Sequence, residues 1–129
     1  MLRVFARGGS EVACEAPTAL WYDLESPTDA EEADVEETLG IDVPTPAERA
    51  AFEESARYYE EGDALHLTAT LLGRRDDGPF VSGAVTFILA QGKLVTVRQV
   101  RPRAFEIGKG RASARLESAQ TGADVLLAL

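Results

Sequence analysis

Carboxylates are the most plentiful groups in this sequence that could do chemistry. The chain has 22 Asp and Glu residues against 13 Lys and Arg, which gives a formal net charge of −9. Hard cations such as Mg2+ take oxygen ligands and keep several waters, so one or two carboxylates are enough to hold them. Suitable pairs are Glu32 with Glu36 and any two of Glu48, Glu53 and Glu54. Spacing alone favours none of these pairs, and all of them remain candidates for a cation site.

The charges are distributed unevenly along the chain. Residues 1–63 carry 17 acids and four bases, whereas residues 64–129 carry five acids and nine bases. Two interpretations are open: a solvated acidic face with internal charge complementarity, or a surface that attracts or senses cations. The net acidity argues against non-specific nucleic-acid binding, because the phosphates would be repelled.

Candidates for catalysis are few. His66, the sole histidine, falls in a predicted strand between two leucines, which is typical of a structural or surface histidine. Cys14 is the sole cysteine, so it forms no intrachain disulfide, and no base lies near it in the sequence. The sequence has no phosphate-binding Walker motif, no dinucleotide-binding glycine motif and no zinc-ligand spacing. We therefore predict that the chain is not an enzyme and has no catalytic residues.

A run of basic residues occupies the last third of the chain, at Arg98, Arg101, Arg103, Lys109, Arg111 and Arg115. Phe105 is the one aromatic residue among them, which is too little for stacking nucleic-acid bases. We expect these bases to pair with the acids of the first half, or with acids of a neighbouring subunit. The sequence thus predicts no nucleic-acid partner.

The sequence predicts a series of strands and helices that would position these groups. Period-two hydrophobicity predicts strands at residues 2–7, 19–24, 57–61, 64–72, 80–90 and 93–100. Capping signals predict helices from Thr28 to Leu39, ending at Gly40, and from Thr45 to about Glu54. Further helices are predicted at 103–119 and from Thr121 onward. The fold class is therefore α/β (α+β), a mixed β-sheet flanked by helices.

Length and hydropathy predict a single intracellular domain over residues 1–129. No segment approaches the roughly 20 apolar residues of a membrane helix, and the N-terminus lacks the pattern of a signal peptide. The last helix begins at Thr121 and runs for about one turn in this sequence, so we expect a larger parent protein.

Several stretches in order resemble one family. They are Trp21-Tyr22-Asp23-Leu24 with Pro27 and the acidic helix, Leu39-Gly40, Ser55 to Glu60, Asp63 to Leu67, Val85 to Leu89, Lys93 to Arg98, Phe105 and Ala123 to Leu127. Together they resemble the cytoplasmic N-terminal domain of CorA-type magnesium and cobalt transporters. The resemblance spans nearly the whole chain, and its strength lies in the order of the pieces rather than in any one of them.

The resemblance carries several implications. It implies a longer parent in which the helix from Thr121 is the start of a stalk, followed by two membrane helices with a Gly-Met-Asn motif after the first. It implies a homopentamer in the inner membrane with this domain on the cytoplasmic side, touching the membrane only through those helices. Mg2+ or Co2+ would be the transported and regulatory ion, sensed at subunit interfaces, and the isolated domain would carry no cofactor.

One departure from the family pattern concerns the sensing site. Many relatives have a Glu-Asp pair in the helix that begins here at Pro46, where this sequence has Ala50-Ala51. Glu53 and Glu54 follow immediately, and the resemblance makes them our candidates for the regulatory metal site.

Two alternative functions stay open from the sequence. One is a zinc- or nickel-transporting relative of the same family. The other is a free-standing intracellular binding module that uses its basic C-terminal third.

Overall fold

The computed structural model describes residues 1–6, 10–45, 48, 57–74, 78–102 and 121–122. These contain one helix and seven strands: β1 (Leu2–Ala6), β2 (Ala19–Glu25), α1 (Asp29–Leu39), β3 (Arg57–Glu61), β4 (Ala64–Arg74), β5 (Phe80–Ala90), β6 (Lys93–Arg98) and β7 (Arg101–Pro102). The predicted helix over 103–119 lies outside the described residues, as do the helix predicted from Thr45 apart from Thr45 and Glu48 and the helix predicted from Thr121 apart from its first two residues. Within the described part, no helix has the length and apolar character needed to span a membrane.

The strands form one mixed sheet, which confirms the predicted fold class. Their order is β1-β2-β6-β5-β4-β3, and the short β7 pairs with β4. The described pairings are antiparallel apart from that of β2 and β6, which run parallel to each other. This parallel pairing places β2 beside β6, which lies more than 70 residues later in the sequence, in the β5–β6 hairpin.

Helix α1 begins and ends where the capping signals place it. The Thr28 hydroxyl accepts the backbone N–H of Glu31, whose side chain accepts the backbone N–H of Thr28 in return. At the other end Gly40 adopts φ 64°, a left-handed conformation that glycine takes without strain, and its N–H donates to Glu36 O. These caps fix the position of the acidic residues along the helix.

Each face of the sheet has its own apolar cluster. Beneath α1, Val35 and Leu39 pack on a buried layer that includes Tyr22, Leu24 and Ile88. On the opposite face a second cluster is centred on four buried residues, Val85, Phe87, Leu94 and Val100. Helix α1 and the sheet face that it covers therefore form a two-layer core. The acids of α1 lie on this side of the sheet.

The alternation predicted for β4 is present, but its more buried face near the start of the strand is the polar one. His66 and Thr68 are 1% and 2% exposed, whereas Leu65 and Leu67 on the opposite face are half-buried. The His66 side of the strand faces the α1 layer, beside Ile88 of β5. A surface position for His66 is thereby excluded, and a structural one stands.

Glu31 gives the helix cap a dependence on pH. Its carboxylate accepts the backbone N–H of Thr28 at 3.0 Å, accepts that of Leu2, and lies 3.2 Å from the terminal ammonium of Met1. The Thr28 contact, with those of Leu2 and Met1, lowers the pKa of Glu31 from its ordinary 4.5 to about 2, against the effect of burial. A carboxylate with a lowered folded-state pKa stabilises the fold above about pH 4.5, and this stabilisation is lost as the pH falls towards 2.

We therefore expect Glu31→Gln to flatten the loss of stability between pH 4.5 and 2, as followed by urea denaturation at a series of pH values. Glu37→Gln removes the same charge from an exposed position on α1 and serves as the control. Equal acid-induced losses in the two variants would show that the cap contacts of Glu31 are not responsible.

Candidate functional site

Acidic side chains from three parts of the chain converge beside α1. A cavity of about 280 Å3 lies between α1, the segment after it and β3. We call it the acidic cleft and define it by its five carboxylates, Glu32, Glu36, Asp42, Glu48 and Glu61. The two acids predicted as a helical pair, Glu32 and Glu36, are thus joined by Glu48 from the second predicted group.

Crowding of like charges is visible at Glu36. Partial burial, a hydrogen bond with Asp42 and the nearby charges of Asp42 and Glu32 raise the pKa of Glu36, although the Val43 backbone opposes them. A carboxyl group with a raised pKa holds its proton more readily, because burial and the neighbouring carboxylates both disfavour a further negative charge. A bound cation would relieve the same repulsion, so the cleft is suited to cations.

Glu48 is held at the cleft by a second set of capping contacts. The Glu48 N–H donates to Thr45 Oγ1 at 3.2 Å, and Glu48 Oε1 accepts the Thr45 hydroxyl at 3.1 Å. This agrees with the capping box predicted there. The sensing-site candidates Glu53 and Glu54 lie outside the described residues, as do Ala50 and Ala51.

A second, larger cavity adjoins the acidic cleft and shares Asp42 and Glu61 with it. It has a volume of about 460 Å3 and lies between the end of α1, the β3–β4 turn and the β5–β6 turn. His66 lines it together with Asp63, and we call it the His66 cavity. Nothing near His66 in the sequence predicts that it lies among carboxylates, because Asp42 belongs to a distant segment and Glu61 and Asp63 lie at the end of β3 and in the turn that precedes β4.

A buried polar network crosses the parallel strands on the other face of the sheet. Arg98 donates to both carboxylate oxygens of Asp23, from Nε at 3.1 Å and Nη2 at 2.8 Å, and from Nη1 to Val100 O at 2.9 Å. Thr96 Oγ1 donates to Asp23 Oδ1 at 2.8 Å and accepts Trp21 Nε1–H at 2.9 Å. Asp23 and Arg98 are 5% and 8% exposed, so this pair is a structural clamp between β2 and β6.

The clamp joins two of the stretches on which the resemblance to the CorA family rests. Trp21 and Asp23 come from the stretch at 21–24, and Thr96 and Arg98 come from the stretch at 93–98. Their register in the parallel pair sets Asp23 opposite Thr96. Neither stretch predicts this contact by itself, because Asp23 and Arg98 are 75 residues apart in the sequence.

The expected pairing of late bases with early acids is confirmed for two residues. Arg98 lies 3.5 Å from Glu25, and Arg101 Nε donates to Glu25 Oε1 at 2.8 Å. The Arg101 contact, with the charges of both arginines, lowers the pKa of Glu25 although burial opposes them. The remaining bases of the run lie outside the described residues.

The described residues bring together neither a nucleophile with a base nor a preformed cluster of metal ligands. Cys14 Sγ lies 3.5 Å from Thr38 Oγ1, and His66 has no hydrogen-bond partner. Across the described ranges, no three His, Cys, Asp or Glu side chains are arranged to hold a metal ion. Any ion in the acidic cleft would therefore keep water among its ligands.

The mixed sheet covered by α1 is also found in solved structures of other domains. The structure matches the soluble domain of CorA from Methanocaldococcus jannaschii with a TM-score of 0.65 at 13% identity, over 99% of this chain and 55% of that one. It matches the ZntB cytoplasmic domain from Vibrio parahaemolyticus RIMD 2210633 with a TM-score of 0.60 at 16% identity, over 99% and 55%. At these identities the likeness establishes the fold.

The chain belongs to the family described as CorA-like Mg2+ transporter protein, whose model matches residues 17–129. It is 30% identical over 111 residues to the magnesium transport protein CorA of Wolinella succinogenes, covering 83% of this chain and 35% of that protein. It is 32% identical over 94 residues to the CorA of Escherichia coli K12, covering 73% and 30%. The chain thus spans about a third of the length of these relatives. The family is one of transporters and not of enzymes.

Proposed function

We propose that this chain is the regulatory, cation-sensing domain of a CorA-like transporter that moves Mg2+ across the inner membrane. Membership of the Mg2+ transporter family supports the transported ion. The observation that carries the sensing role is the acidic cleft, in which five carboxylates surround one cavity. Co2+ is the second ion of this proposal, and the domain faces the cytoplasm.

The acidic cleft suggests how a cation would bias the protein. Without a cation, burial raises the pKa of Glu36, and the hydrogen bond with Asp42 and the charges of Asp42 and Glu32 raise it further. A divalent ion would favour the arrangement that keeps the three carboxylates together, and an ion shifts a population only through such differential binding. In a homopentamer that arrangement would be transmitted by a stalk helix starting near Thr121.

Glu53 and Glu54 remain our candidates for acids that complete the regulatory site. They follow Glu48 by five and six residues along the helix predicted from Pro46. A helix continuing from Glu48 would turn Glu53 and Glu54 about 140° and 240° away from it, so they would add acids on other faces of that helix and not in the acidic cleft itself.

A non-catalytic role fits the arrangement of reactive groups better than an enzyme does. Cys14 contacts Thr38 rather than a base, and His66 is buried. A free-standing module that uses the basic third is disfavoured, because Arg98 and Arg101 already pair with Asp23 and Glu25.

Transport and sensing are tested together in cells that lack their own Mg2+ uptake. We expect the gene that encodes this domain to restore growth at low Mg2+ and to take up Mg2+ in preference to Zn2+ and Ni2+. Asp42→Asn should raise, at least threefold, the internal Mg2+ concentration at which uptake stops, since Asp42 lines the acidic cleft and interacts with Glu36 there. Uptake is measured with a fluorescent Mg2+ indicator, and Glu37→Gln is the control.

Each part of the proposal fails in its own way. Uptake of Zn2+ without uptake of Mg2+ would show that the transported ion is not Mg2+. If Asp42→Asn left the internal Mg2+ concentration at which uptake stops unchanged, the acidic cleft would have no sensing role. The sequence encoded after Leu129 adds a direct check. Two apolar segments of about 20 residues with Gly-Met-Asn after the first are expected, and a stop codon in their place would contradict the transporter.

A further inference from the structure

The charged residues described in the lining of the His66 cavity are all acidic. Its lining includes Asp42, Glu61 and Asp63, and none of its described lining residues is basic. Leu39 and Gly40 bring the C-terminal end of α1, where the helix dipole is negative. At about 460 Å3 the cavity has room for an ion with its water shell. These features favour a cationic ligand.

His66 provides a second observation that points to a ligand. Its side chain is 1% exposed, and neither ring nitrogen has a hydrogen-bond partner. The ring is stacked on Tyr59 with centroids 4.6 Å apart, and β3 and β5 flank its strand, so the imidazole is fixed in place. Leaving a buried polar group unpaired costs about 1–3 kcal/mol, which makes an unpartnered histidine in a cavity wall exceptional.

The distance between His66 and Glu61 is close to the spacing of two side chains that bind one metal ion. His66 Nε2 lies 3.9 Å from Glu61 Oε2, which is too long for a hydrogen bond. Two ligand atoms on one tetrahedral metal ion, with bonds of about 2.0–2.2 Å, lie about 3.4 Å apart. The Glu61 side chain is 56% exposed and is free to rotate through the difference.

Burial also keeps the imidazole ready to bind a metal. Desolvation lowers the pKa of His66, although the charges of Glu61 and Asp42 oppose it. At neutral pH the ring is therefore uncharged, and one of its nitrogens carries a lone pair.

We propose that His66 and Glu61 together chelate one divalent ion of the nitrogen-preferring class, Co2+, Ni2+ or Zn2+, within a single copy of the domain. Imidazole is a ligand for these ions, whereas Mg2+ takes oxygen ligands. Because no third side chain of the described part joins them as a ligand, water fills the remaining positions, and Asp42 and Asp63 hold that water. This inference does not rest on the proposed sensing role, since the site needs no second subunit.

Titration of the 129-residue chain with CoCl2 and with MgCl2 tests the proposal, with binding followed by calorimetry. We expect one Co2+ per chain, and no displacement of it by a tenfold excess of Mg2+. His66 is the sole histidine, so its ring signals in 1H–15N spectra are unambiguous, and paramagnetic Co2+ should shift or broaden them at one equivalent.

Three variants locate the ion. Glu61→Gln and His66→Phe should each weaken Co2+ binding at least tenfold. Glu60→Gln, the same change one residue earlier on the opposite face of β3, should leave binding unchanged. Co2+ binding that survives His66→Phe, or that Mg2+ displaces freely, would assign the ion to the carboxylates alone and overturn the proposal. Unchanged His66 signals with bound Co2+ would do the same.

Discussion

Replacing Arg98 with methionine is expected to lower the free energy of unfolding by about 3–5 kcal/mol, the cost of leaving a buried charge without its partner. Asp23 is 5% exposed and accepts two of its hydrogen bonds from the Arg98 guanidinium. Thr96 supplies one more, which is too little to compensate the carboxylate. Arg98 also donates to Val100 O, so the variant releases the segment that leads into β7. Urea denaturation followed by tryptophan fluorescence measures the change, because Trp21 is bonded to Thr96.

Arg101→Met is the matched control for this change. Arg101 pairs with Glu25 near the surface, where its side chain is 45% exposed, and such a pair contributes about 0–1 kcal/mol. Asp23→Leu combined with Arg98→Met removes both charges, and it should recover much of the lost stability. Equal losses for Arg98→Met and Arg101→Met would show that the Asp23–Arg98 pair does not hold the parallel strands.

His66→Phe is expected to change stability in the opposite direction. In metal-free buffer at pH 7 we expect the free energy of unfolding to rise by about 1–3 kcal/mol, because the variant removes two buried nitrogens that have no partner. Phenylalanine keeps a flat ring for stacking on Tyr59, and the adjoining cavity leaves room for its slightly larger volume. The measurement is urea denaturation with a chelator present.

Thr68→Val provides the contrast, two residues along the same strand. The Thr68 hydroxyl is buried like His66, but it is hydrogen-bonded to Thr86 at 2.9 Å. Removing it leaves the Thr86 hydroxyl unpaired and should destabilise the fold by about 1–3 kcal/mol. If His66→Phe destabilised the protein as Thr68→Val does, the imidazole would be a stabilising part of the core rather than a group awaiting a ligand.

Local elements were predictable because their signals lie within a few residues of one another. Thr28 and Glu31 form the predicted capping box, and Gly40 ends the helix as expected. Gln91 and Gly92 adopt φ values of 54° and 72°, the conformation of a tight hairpin turn. In each case the types of a few neighbouring residues determine the local backbone conformation, and contacts with the rest of the fold are not needed.

Contacts between distant segments were not predictable in this way. Asp23 and Arg98 are 75 residues apart, and neither the sequence around Asp23 nor that around Arg98 indicates that β2 pairs with β6. Likewise Glu61 reaches Asp42 and Glu36 only because the β3–β4 turn lies beside the end of α1. The sequence therefore indicates candidate acids in pairs, whereas the fold determines which of the described acids line one cavity.

The parallel pairing of β2 with β6 also has a consequence for the order in which the chain folds. Strands β3 to β6 form a meander in which each pairs with its neighbour in sequence, so their contacts close short loops. Pairing Trp21 with Leu94 instead closes a loop of more than 70 residues, which carries a larger entropic cost and slows the step that forms it. We expect the meander to form first and the N-terminal segment β1-β2-α1 to dock onto it last. The Asp23–Arg98 pair would then mark the completion of folding, and the acid-lined cavities between α1 and the β3–β4 turn would exist only after that final docking.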